Sequence, residues 1–202
     1  SAKNIHDANS SSSLIDFNRA STPLIEIVTE PDFRSPAEAK AFLQELQLIL
    51  RSFDISDADM EKGFVRCDAN ISLMAVHEDG LPAQKEYNPK TEIKNLNSFR
   101  SVERALNFEI ERQRTLLEKG EIPSAATRGW DENKGQTFEQ RSKETSADYR
   151  YFPEPDLPPL SLADIRESEK NHMHELPIEV RERLQNEWGF SADDARFFVA
   201  ND

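Results

Sequence analysis

The sequence predicts an α+β fold, an antiparallel sheet with packed helices followed by the start of an all-helical domain. Three observations carry that prediction. Residues 65–73 alternate apolar and polar side chains, the pattern of a strand with one covered face. Residues 99–117 place apolar side chains at three- and four-residue spacing, the stripe of an amphipathic helix. Four prolines within residues 153–159 break the chain, and only helical patterns follow them. The expected division is therefore 1–160 for the sheet-bearing part and 161–202 for the beginning of the helical part.

Taken in order, Leu24, Ile25, Ile27 and Val28 form a β-branched apolar run that predicts a buried strand, with Glu26 as its one charged residue. Ser35, Pro36 and Glu38 then supply an N-cap, a first-turn proline and a capping-box partner. The helix they start carries Ala39, Phe42, Leu43, Leu46, Ile49 and Leu50 on one face and ends near Phe53, which predicts packing on a sheet. In the alternating segment Val65, Cys67, Ala69, Ile71 and Leu73 share one face, and Arg66, Asp68, Asn70 and Ser72 share the other. A loop over 77–89, with Asp79-Gly80 and two prolines, returns the chain to a strand at 90–96, predicting an antiparallel hairpin.

Asn97 or Ser98 caps the next helix, whose stripe is Phe99, Val102, Leu106, Ile110, Gln113 and Leu117 and whose stop is Gly120. Residues 125–130 and 137–141 bracket the turn-rich Asp131-Glu132-Asn133-Lys134-Gly135, a second hairpin. Helices are expected at 162–171, at 177–188 ending on Gly189, and from Ser191 with Asp194 as its capping partner. Trp130 and Trp188 read as packing residues, and His77, His172 and His174 as surface.

Composition excludes several classes. With one cysteine, Cys67, the chain can form neither an internal disulfide nor a multi-cysteine metal site. It contains no apolar run long enough to span a bilayer, so no membrane partner is expected. Lys plus Arg number 25 against 38 Asp plus Glu, a net charge of −13, the wrong sign for binding nucleic acid by bulk electrostatics. The run Ser10 to Ser13 has no glycine-rich nucleophile setting and does not support a serine amidase. The chain opens on Ser1 without Met and stops at Asn201-Asp202 inside an amphipathic pattern, so it reads as an internal piece.

Four segments supply the chemistry. The first is Leu14 to Asp32, containing Pro23-Leu24-Ile25-Glu26-Ile27. The second is Gly63-Phe64-Val65-Arg66-Cys67-Asp68-Ala69-Asn70-Ile71-Ser72-Leu73. The third is Thr91-Glu92-Ile93-Lys94-Asn95-Leu96-Asn97-Ser98-Phe99, and the fourth runs from Asp148-Tyr149-Arg150 to Pro159. In this order they resemble the B-subunit family of the aspartyl/glutamyl-tRNA amidotransferases, bacterial B type or archaeal E type, and several ordered clusters are more specific than one motif. The resemblance implies a cradle similar to the glutamine synthetase and guanido kinase catalytic fold.

It also implies an activity: ATP-dependent phosphorylation of the amino acid carried on Glu-tRNA(Gln) or Asp-tRNA(Asn), then amidation with ammonia released by a partner chain. ATP and Mg²⁺ are the implied cofactors. The implied partners are the amidase chain of the same complex (its A component), the small third chain (its C component) and the aminoacyl-tRNA. The implied compartment is bacterial cytoplasm or, in a eukaryote, a mitochondrial or plastid matrix.

Glu26 takes the place of a family magnesium ligand, and Asp68 is the second candidate for metal and catalysis. Lys94 is a candidate catalytic cation, and Arg66, Asn70, Ser72, Glu92 and Arg150 are candidate nucleotide contacts, with Arg141 a weaker one. Residue types support this: carboxylates suit Mg²⁺ and guanidinium suits phosphate. Taken alone, the polar row is better explained as the solvated outer face of an antiparallel sheet, and Glu92 with Lys94 equally well as a cross-strand ion pair. The remaining family ligands precede Ser1, so the isolated piece is expected to be inactive. A glycine usually stands at Ser21 in the family, and Gly-Thr at Asn88-Pro89. The competing expectation is a tRNA-binding scaffold that kept the fold and lost the chemistry.

Overall fold

A computed structural model describes residues 3–6, 13–18, 20–77, 79, 83–142, 153 and 155–200. The chain divides into two compact units, Ser1–Asp32 and Phe33–Asp202.

In the first unit, β1 (Lys3–His6) and β2 (Ser13–Asp16) pair antiparallel, Lys3 opposite Asp16 and His6 opposite Ser13. The strand expected over residues 24–28 is not formed: residues 22–30 are extended without regular pairing, and Leu24 and Val28 are 90% and 83% exposed. An apolar run becomes a strand only when a neighbour accepts its backbone hydrogen bonds, and none among the described residues does. Ser21 adopts φ +62°, the left-handed region that favours glycine, which accounts for the glycine expected there.

The second unit opens with α1 (Pro36–Ser52). Ser35 caps it by accepting from the Glu38 backbone N–H at 3.2 Å, while the Glu38 carboxylate reaches back to the Arg34 N–H at 2.6 Å, one residue before the position a capping box uses. The α1 helix lies against α2 (Phe99–Glu118) rather than on the sheet, with Lys40 and Glu103 bridging the two at 2.7 Å. Ser98, not Asn97, caps α2, its hydroxyl accepting from the Ser101 N–H at 3.0 Å. Gly120 follows the helix at φ +78°.

The sheet contains β3 (Cys67–Ile71), β4 (Thr91–Leu96), β5 (Ala126–Asp131) and β6 (Gln136–Ser142), in that spatial order. Pairs β3–β4 and β5–β6 are antiparallel hairpins, as expected. The central pair β4–β5 is parallel, so the sheet is mixed and the expectation of a wholly antiparallel sheet is corrected on this point. The cause is the connection: α2 carries the chain back along the sheet, and a helical crossover delivers the next strand in the same direction. The α+β class stands.

One face of the sheet is closed by α2, around a core of Met60, Ile93, Leu96, Val102, Ala105, Leu106 and Trp130. The same interface holds a polar network. Glu109, wholly buried, meets Arg128 at 3.0 Å and Arg112 at 2.8 Å, and accepts from the Thr137 hydroxyl. Gln113 joins Thr91 at 3.2 Å and accepts from the Leu73 N–H at 3.1 Å. No buried side-chain N or O atom among the described residues lacks a partner.

After the proline-rich segment come α3 (Ala163–Lys170), α4 (Pro177–Trp188) and α5 (Ala192–Ala200), close to the expected bounds. Arg181 of α4 holds both carboxylate oxygens of Glu45 of α1 at 2.8 Å, and His174 stacks on Phe53 with ring centroids 4.4 Å apart. Trp130 is core, but Trp188 is 65% exposed and not the packing residue expected, because it ends α4 beyond the part that meets α1. No helix among the described residues is long and apolar enough to cross a membrane.

Candidate functional site

The face of the sheet opposite α2 carries the polar row. On β3, Cys67, Ala69 and Ile71 turn toward the core while Asp68 and Asn70 are exposed. On β4, Ile93 is buried and its neighbours Glu92 and Lys94 share the open face. Asn70 stands directly opposite Glu92, and Ala69 opposite Ile93.

The register then slips: Cys67 pairs with Leu96, so Asp68 alone faces both Lys94 and Asn95. Asn95 makes this β-bulge possible. It takes φ +66°, tolerable for asparagine, and donates its side-chain amide to the Trp130 carbonyl at 2.9 Å.

The bulge brings Lys94 against two carboxylates. Its Nζ lies 3.0 Å from Asp68 Oδ2 and 3.4 Å from Glu92 Oε1. The hydrogen bond to Asp68, foremost, and the charges of Asp68 and Glu92 hold the ammonium above its ordinary pKa against a smaller opposing effect of burial. Lys94 is therefore cationic across the physiological range. Glu92 is the more enclosed carboxylate, 15% exposed against 48% for Asp68. Its other oxygen, Oε2, accepts from the Thr127 hydroxyl of β5 at 2.9 Å.

Arg66 is exposed, one residue before β3. Ser72 lies just past β3 and its hydroxyl donates to the Asn88 carbonyl at 2.7 Å, tying the strand's end to the loop that leads into β4. Glu26 is exposed in the extended segment of the first unit, and the buried setting expected for it is absent. The side chain of Arg141, and the whole of Arg150, lie outside the described residues. His77 and His172 are exposed as expected, whereas His174, also exposed, has its Nε2 2.7 Å from the Ser52 carbonyl.

Sequence reasoning missed Thr127 and Gly129. Both lie on the open face, because parallel pairing sets Thr127 beside Glu92 and Gly129 beside Lys94. A methyl group on Gly129 would come within 2.7 Å of the Phe138 ring, which lies across that position. The available signal was the helix between two strands, which implies a parallel pair and hence this register.

Two carboxylates converging on one open face suit a hard cation of the Mg²⁺ type, which takes one or two carboxylates together with phosphate oxygens and water. Asp68 and Glu92 supply that donor set. Among the described residues no three His, Cys, Asp or Glu side chains gather into a closed metal site.

Comparison with known proteins decides the family. The family described as "GatB/GatE catalytic domain" matches residues 1–166. This chain belongs to that family. It is 50% identical over 188 residues to the B chain of the aspartyl/glutamyl-tRNA(Asn/Gln) amidotransferase of Roseiflexus castenholzii, covering 93% of this chain and 38% of the relative. The Thermomicrobium roseum protein of the same name is 53% identical over 193 residues, with the same coverage. That of Thermotoga maritima is 46% identical over 204 residues, covering 98% of this chain and 41% of the relative. The chain thus spans about two fifths of the length of the relatives it matches.

Proposed function

We propose that this chain is the catalytic-domain portion of an amidotransferase B chain that phosphorylates the side-chain carboxylate of Glu-tRNA(Gln) or Asp-tRNA(Asn) with ATP. Ammonia from the amidase chain then displaces the phosphate, and the small third chain completes a heterotrimer in the bacterial cytoplasm. The observation that carries this reading is the Asp68–Lys94–Glu92 cluster, held on the open sheet face by the Asn95 bulge within a chain of this family.

Each group has a task in such a reaction. Asp68 and Glu92 would hold Mg²⁺ through their carboxylate oxygens, and the ion would supply neutralisation of phosphate charge. Lys94, kept protonated by Asp68, offers a fixed positive charge to a phosphate oxygen. Arg66 and Asn70, exposed beside Asp68, are the nearest further contacts for nucleotide, and Arg150 remains a candidate from the resemblance alone. Glu26 is a metal ligand on the same basis. Phosphoryl transfer depends on positioning and charge neutralisation rather than covalent help from the protein.

The test is aminoacyl-tRNA-dependent ADP release by the full-length protein in its assembled complex. Glu26→Gln and Asp68→Asn, each close to isosteric, should reduce the rate at least about 100-fold while aminoacyl-tRNA still binds. Unchanged rates in both variants would remove these two carboxylates from the reaction, and a wild-type complex that releases no ADP would favour a scaffold.

A further inference from the structure

We infer that Thr127 is a positioning residue for Glu92, fixing which carboxylate oxygen faces the open side of the sheet. The inference rests on the proposed metal and nucleotide role of that face and adds a residue from a strand the sequence did not place there.

Lys94 and Thr127 both reach Glu92. Lys94 Nζ lies 3.4 Å from Oε1, on the side toward Asp68, and the Thr127 hydroxyl donates to Oε2 at 2.9 Å. Lys94 is a loose restraint, a four-carbon stem with 38% of its side chain exposed, whose shorter contact is to Asp68 at 3.0 Å. Thr127 is a stiff one: it is 1% exposed, β-branched, and set beside Glu92 by the parallel register.

Its backbone is anchored from the other face of the sheet. The next residue, Arg128, turns toward α2 and is held by Glu109 at 3.0 Å, by the Thr137 hydroxyl at 2.8 Å and by the Thr137 carbonyl at 3.0 Å. Rotation of β5 that would withdraw the Thr127 hydroxyl would break that buried set. With Oε2 held by Thr127, Oε1 is the oxygen presented beside Asp68, where a cation would be shared.

A hydrogen bond to a carboxylate is worth enough that its loss should alter cation affinity about tenfold or more. In the full-length protein within its complex, Mg²⁺ is titrated calorimetrically at fixed ATP, without tRNA. Thr127→Val keeps the shape and removes the donor, and should raise the Mg²⁺ dissociation constant about tenfold. Thr127→Ser restores the hydroxyl and should return it to within about twofold of wild type. In a Glu92→Gln background, Thr127→Val should add little, since the group it positions has already changed.

The outcomes separate cleanly. If Glu92→Gln binds Mg²⁺ with ATP as well as wild type, the role assigned to the open face falls. If Glu92→Gln weakens binding but Thr127→Val does not, that role stands and the positioning by Thr127 is overturned. If Val and Ser weaken binding equally, packing at Thr127 matters rather than its hydroxyl, and the inference is likewise refuted.

Discussion

Glu109 offers the sharpest energetic test of how the sheet is held. Its carboxylate has no exposed surface and contacts Arg112 at 2.8 Å, Arg128 at 3.0 Å and the Thr137 hydroxyl. Glu109→Ala removes the anion and leaves two guanidinium groups, 24% and 14% exposed, facing the gap. Breaking a buried ion pair from one side costs about 3–5 kcal/mol, a large share of the roughly 5–15 kcal/mol that stabilises a domain. At about 2 kcal/mol per molar urea, the unfolding midpoint should fall by roughly 1.5–2.5 M with an unchanged slope. Replacing Glu109 and Arg128 together by Met should recover part of that loss, because only the more exposed guanidinium, that of Arg112, is then left without its carboxylate. A midpoint shift below about 0.5 M for Glu109→Ala would refute the reasoning, showing that Arg112 and Arg128 reach water readily and that the network does not hold α2 to the sheet.

Local chemistry supplies two further predictions. Burial, aided by the Asp68 charge, pushes the Cys67 thiol up to about 11 from a reference of 9.0, so the folded state retains the thiol proton. Its contribution to stability is complete below pH 9 and lost as pH rises toward 11. Alkylation by iodoacetamide at pH 8 should run about 100-fold slower than in urea and keep accelerating to about pH 11, and equal rates would contradict that environment. Ser98→Ala removes the cap from α2 and should cost about 1 kcal/mol in chemical denaturation, while Asn97→Ala should cost far less.

What the sequence made legible was local. The Ser35 and Ser98 caps, the turn at 131–135 and the stop at Gly189 depend on a few neighbouring residues, and each is found as expected. The alternation of β3 was equally readable because a period of two needs no knowledge of the partner strand. What was not legible depended on pairing between distant segments. Leu24–Ile25–Glu26–Ile27–Val28 has the composition of a strand, but composition does not supply a neighbour. Glu109 shows the same limit: it lies on the α2 stripe three residues after Leu106 and four before Gln113, a charge on a buried face that required partners the sequence could not name.

The two faces of the sheet divide the work in a way that explains why the candidate groups tolerate exposure. On the α2 side the charges are paired: Glu109 meets Arg112 and Arg128, Arg128 also lies 3.9 Å from Glu139, and their geometry sets the strands. On the open side Lys94 is shared between Asp68 and Glu92, so among these three groups two negative charges meet one positive. Partial exposure lets water screen these carboxylates, and a divalent cation would draw on both. The chain's net charge of −13 therefore does not bar a phosphate-bearing substrate, since the surface offered would be the cation and Lys94 rather than the acidic exterior.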